Sequence, residues 1–201
     1  MKKSTFYPCL ILFYLLLPTL ILTAQTENKI GFYDRGSKAY SVVIEDINSI
    51  GSDNDIKVYT IRGGVGFYFR KNLAIYGHLD VTKVHGYRVD DSDIQHKKIN
   101  AKTFGMGAAF LFQWYLIKIK SSSLYLDYGS GFIYTLDNFP PSGTMFNYIH
   151  RFGLGLSIRF KDNLQVIGGV RFLHISNGGK LFGHSKNPSY DGLGGFVGLT
   201  F

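Results

Sequence analysis
The chain has 201 residues, 22 Lys and Arg against 14 Asp and Glu, and 45% hydrophobic residues, with 17 Phe and 14 Tyr. That aromatic content beside only 18% charged residues excludes a disordered chain, and the single Cys excludes a disulfide scaffold and a Cys-rich zinc site. Abundant Gly, Tyr and Phe, with few helix formers beyond residue 24, point to strands.

Residues 1–24 read as a signal peptide and 25–201 as one β-barrel domain. Lys2 and Lys3 form a positive start, Cys9 to Leu22 is an almost purely apolar run, and Thr23-Ala24-Gln25 begins the polar stretch. The run is short for a membrane helix, which needs ~20 residues. Cleavage after Ala24 would remove Lys2, Lys3 and Cys9, lowering the formal charge from +8 to +6.

After residue 24 the pattern changes to a two-residue period. Phe146, Tyr148, His150, Phe152, Leu154, Leu156, Ile158 and Phe160 alternate with Asn147, Ile149, Arg151, Gly153, Gly155, Ser157 and Arg159. Phe104 to Leu116, Leu124 to Leu136 and Leu73 to Val81 repeat the alternation. It predicts eight strands at about 37–47, 56–70, 72–86, 101–118, 122–136, 144–160, 163–177 and 190–201, with 28–34 able to replace or extend the first. Lys71-Asn72, Ser121-Ser122 and Lys161-Asp162-Asn163 are short links, whereas 48–55, 87–100, 137–143 and 178–189 are longer and polar. Short turns on one rim and long loops on the other predict an eight-stranded antiparallel outer-membrane β-barrel of up-and-down topology.

A secreted soluble barrel holding a hydrophobic ligand would show the same alternation with its faces exchanged. Three features favour the membrane version: strand length, the Gly and charges on the polar face, and the run Leu193, Val197, Leu199, Phe201 at the chain's end. The parity then sends Phe104, Phe110, Trp114, Phe152, Leu156 and Val170 to lipid, and Arg151, Arg159, Arg171 and Asp127 to the lumen. Arg62, Arg70 and Asp80 are candidates for the same internal ion-pair network.

The chemistry gathers near the end of the chain. His174 and Ser176 are two apart on one strand, so both point to one face. They share the parity of Val166, Gly168, Val170 and Phe172, the lipid side, where a polar group without partners is costly. With both chain ends periplasmic, the seventh strand runs outward and places the pair at the extracellular rim. Asp191 opens the eighth strand on the lipid-facing parity. A hydroxyl, an imidazole and a carboxylate on one outward surface are the parts of a Ser-His-Asp hydrolase.

The stretch His174-Ile175-Ser176-Asn177-Gly178-Gly179, followed after a loop by Asn187-Pro188-Ser189-Tyr190-Asp191, resembles the outer-membrane lipid A 3-O-deacylases, the PagL-type acyloxyacyl hydrolases. The resemblance implies that His174 is the base, Ser176 the nucleophile and Asp191 the acid that orients the imidazole. It assigns an oxyanion or substrate site to Asn177, Gly178, Gly179 and Asn187. Asp191 stands where the type member has Glu, and the intervening loop is a few residues longer. The implied activity is a serine esterase that removes the 3-position acyl chain of lipid A in the outer membrane, with lipopolysaccharide as partner and no metal or organic cofactor.

Other candidates carry less. His78, His85, His96, His150 and His184 lack metal-ligand spacing and are assigned to lumen, girdle or loops. Gly129-Ser130-Gly131 lacks the full nucleophile elbow. Lys180 and Lys186 either meet phosphates or lie on a solvated loop. The positive charge of an exported chain matches anionic lipopolysaccharide, not nucleic acid. The rival reading is a small non-catalytic barrel, an adhesin or structural protein.

Overall fold
The computed structural model describes residues 35–51, 54–89, 97–161, 164–179 and 188–201. The proposed signal peptide and the alternative first strand at 28–34 lie outside the described residues. The described chain is almost entirely strand: β1 (Lys38–Ser49), β2 (Asn54–Arg70), β3 (Leu73–Val89), β4 (Lys98–Asn100), β5 (Thr103–Ile119), β6 (Ser122–Thr135), β7 (Phe146–Lys161), β8 (Leu164–Ser176) and β9 (Ser189–Thr200).

All neighbours are antiparallel, and pairing of β1 with β9 closes the sheet. Backbone bonds between Tyr40 and Phe201 tie the two ends together at the rim of short turns. The short β4 and β5 both pair with β3 and act as one staggered stave, giving the eight staves of the predicted barrel. The break between them was not legible in the sequence. It falls opposite Gly86, whose φ is 135° and whose carbonyl accepts the Ala101 N–H. A Cβ on Gly86 would lie 1.9 Å from the carbonyl oxygen of Asp55 on the neighbouring β2, so only glycine fits there.

The outside of the barrel is apolar. Phe104, Phe110, Trp114, Phe152 and Val170 are exposed, as their parity required, and Leu156 is half-buried between neighbours. Such a continuous belt of exposed aromatic and aliphatic side chains suits lipid and would be an aggregation liability in water.

The lumen is packed in three layers. Toward the turn rim lie Tyr68, Tyr76, Leu111, Tyr115, Tyr125 and Phe196. Toward the loop rim lie Ile47, Val58, Ile133, Phe139, Ile149, Leu173 and Tyr190. Between them Glu45, Asp80 and Asp127 meet Arg62, Arg151 and Arg171, three charges of each sign, all fully buried. Glu45 is the hub. It lies 2.9 Å from Arg62 Nη2, 3.4 Å from Arg151 Nε, and also receives Arg171. Arg151 reaches Asp80 at 2.7 Å, and Arg171 bonds Asp127.

Arg70 does not join this network. It is exposed at the turn rim beside a strand irregularity, and Arg159 is half-buried at the same rim. The lumen is not polar throughout, because apolar layers close it above and below the charges. The space beside Arg62, His78 and Arg171 is a cavity of only about 10 Å³. Beside this charged layer, then, the interior offers no room for a solute.

Candidate active site
Antiparallel register builds the site. Along the β8–β9 pair, His174 stands directly opposite Asp191 and Ser176 opposite Ser189. His174 and Asp191 share the outward parity at the loop-bearing end, with side chains 32% and 44% exposed. The Asp191 carboxylate only accepts, so the 2.7 Å contact between His174 Nδ1 and Asp191 Oδ1 fixes the proton on Nδ1. Nε2 is then the acceptor for the Ser176 hydroxyl, 3.1 Å away. A carboxylate holds an imidazole, and the imidazole holds a hydroxyl. That is the hydrogen-bond order by which a Ser-His-Asp hydrolase activates its nucleophile.

Beyond Ser176 the chain turns sharply. Gly178 and Gly179 both have positive φ, 75° and 53°. Asn177, buried, accepts the Gly179 N–H on its Oδ1 at 3.0 Å. Gly179's amide therefore folds the turn in this structure and does not stand open toward an oxyanion. Asn187, Lys180 and Lys186 lie outside the described residues. The sequence thus brought together His174, Ser176 and Asp191, with Asn177, Gly178 and Gly179 adjoining them.

Two neighbours were not anticipated at the site. His150 on β7 is the cross-strand partner of His174, with ring centroids 6.3 Å apart. Its Nδ1 lies 3.1 Å from the Tyr128 hydroxyl, and the two rings stack at 6.4 Å. The alternation gives His150 the outward parity, but only the β6–β7 and β7–β8 registers set Tyr128 and His150 beside His174. Ser130 faces outward opposite His150, whose hydrogen bond goes to Tyr128 instead. His78 is internal, bonded to Ser41.

Solved structures give the same architecture. The outer membrane protein OprG from Pseudomonas aeruginosa matches with a TM-score of 0.52 and 12% identity, over 86% of this chain and 99% of that one. The outer membrane enzyme PagL matches with a TM-score of 0.51 and 17% identity, over 79% of this chain and 97% of that one. The fold is that of an outer-membrane β-barrel. The outer membrane protein AlkL also aligns, at a TM-score of 0.45 and 13% identity over 88% and 94% of the two chains. No family model and no curated protein matches the sequence. At these identities the likeness speaks for the barrel alone.

Proposed function
We propose that this barrel is an outer-membrane esterase that removes the 3-position acyl chain of lipid A, releasing a 3-hydroxy fatty acid. The observation that carries the reading is the Asp191–His174–Ser176 chain of hydrogen bonds on the lipid-facing side of the loop rim. An imidazole and a carboxylate partly exposed on the lipid-facing side, with the Ser176 hydroxyl buried beside them, carry a desolvation cost that a purely structural barrel has no use for.

Ser176 Oγ attacks the ester carbonyl while His174 Nε2 takes its proton. Asp191 stabilises the imidazolium that forms. The oxyanion of the tetrahedral intermediate falls to backbone N–H donors around Gly178 and to Asn187. As the intermediate collapses, His174 returns the proton to the leaving sugar oxygen, and the acyl group stays on Ser176. Water then attacks this acyl-enzyme, giving its proton to His174. The free acid leaves and Ser176 is restored. The bilayer presents the substrate sideways, so the barrel wall itself is the binding surface.

The test is a fatty-acid release assay on vesicles of purified lipopolysaccharide with the full-length protein. Release of 3-hydroxy fatty acid by the wild type and its loss in Ser176→Ala supports the reading. No release by correctly inserted wild-type protein returns the chain to the non-catalytic class.

A further inference from the structure
His150 and Tyr128 hold positions that the hydrolytic steps above do not use. Both are exposed on the outer wall, where the phenol and the imidazole bond each other at 3.1 Å. His174 spends its two ring nitrogens on Asp191 and Ser176, so His150 is no hydrogen-bond partner of that imidazole. The Tyr128 hydroxyl can donate to Nδ1 or accept from it; in the tautomer in which it donates, the His150 proton sits on Nε2, which meets no partner among the described residues. In that tautomer the site presents an N–H donor beside the His174 imidazole, on the side away from Asp191.

Depth narrows what that donor meets. His150 is level with His174, two residues below Ser176 along the strand, about 7 Å at the rise of an extended chain. Below it the wall turns apolar through Phe152 and Phe172, which pair across the same two strands. When Ser176 reaches an ester at the boundary between headgroup and tails, His150 faces the next layer inward. Phosphates lie outward of that layer. The oxygens available there are carbonyls of neighbouring acyl chains.

We propose that His150, held by Tyr128, is a specificity residue: its Nε2–H takes a carbonyl oxygen of a second acyl chain on the same lipid. The site then prefers lipids with several chains on one headgroup to single-chain esters. This inference rests on the esterase reading and adds to it a recognition rule.

The experiment compares two substrates with the full-length protein: a multi-acylated, phosphorylated glucosamine disaccharide lipid and a single-chain 3-hydroxyacyl ester of a small alcohol. His150→Phe should lower kcat/KM on the multi-acylated lipid about tenfold, mostly through KM, the scale of one lost hydrogen bond, and leave the single-chain ester unchanged. Tyr128→Phe should act in the same direction more weakly, and His150→Gln, which keeps an N–H donor, should recover part of the loss. Equal loss on both substrates, or no loss on the multi-acylated lipid, overturns the subsite while leaving the esterase standing. A wild type that hydrolyses neither substrate overturns the esterase and the subsite with it.

Discussion

Asp191 stands across the β8–β9 pair from His174, and their side chains meet at 2.7 Å outside the barrel. The contact holds the imidazole in the tautomer that leaves Nε2 free to accept from Ser176. Asp191→Asn should keep the barrel intact and lower turnover by roughly 10³–10⁴-fold, because the amide can present its N–H to Nδ1 and reverse the tautomer. Asp191→Glu should retain part of the activity, since the longer acid reaches the same nitrogen. Steady-state rates on lipopolysaccharide vesicles check this; full activity in Asp191→Ala would show that the orienting acid lies elsewhere.

Ser176 and His174 should behave as one unit. Each alanine substitution is expected to lower the rate by roughly 10⁴–10⁶-fold, and the double variant should be little worse than either single one. Multiplicative losses in the double variant would mean that the two side chains act independently and that their 3.1 Å contact has no part in the chemistry.

The lumen gives a stability prediction. Gly153 faces inward beside the Asp127–Arg171 pair, and a Cβ there would lie 2.4 Å from Asp127 Oδ1 and 3.2 Å from Arg171 Nε. Gly153→Val should force that pair apart and destabilise the barrel by about 3–5 kcal/mol, the range for breaking a buried ion pair. Urea unfolding in a bilayer measures it. A shift within a few tenths of a kcal/mol would mean that the charged layer is loosely packed.

The outer wall gives another. Phe110 lies near the middle of β5 and is 64% exposed. Phe110→Arg should destabilise the membrane-inserted barrel by ~2–4 kcal/mol, as a cation does at the bilayer midplane. The same folding equilibrium reports it, and a neutral result would contradict the assignment of this face to lipid.

Most of the barrel was legible because its two faces meet different surroundings, and strict alternation records that difference residue by residue. His174, Ser176 and Asp191 were legible for the same reason: two share a strand, and the third opens the strand expected to pair with it. Glu45 had the inward parity of Ala39, Ser41 and Val43, yet its role as hub appears only when closure brings β2, β7 and β8 around it. His150 needed more than parity. Its position beside His174 depends on the β7–β8 register, which shifts between Arg159 and Lys161 near the turn. A slip of one residue there would move every side chain to the other face, and the sequence carries no local mark of the shift. The break opposite Gly86 is likewise a backbone event, set where β2 runs close against that glycine.

The most direct measurement is mass spectrometry of lipid A from Gram-negative cells carrying the wild-type chain, the Ser176→Ala chain or neither. The wild type should produce lipid A lighter by one 3-hydroxyacyl group, and Ser176→Ala, inserted at equal level, should leave lipid A as in cells without the protein. Unchanged lipid A in wild-type cells, or the same mass loss with Ser176→Ala, would contradict the assignment.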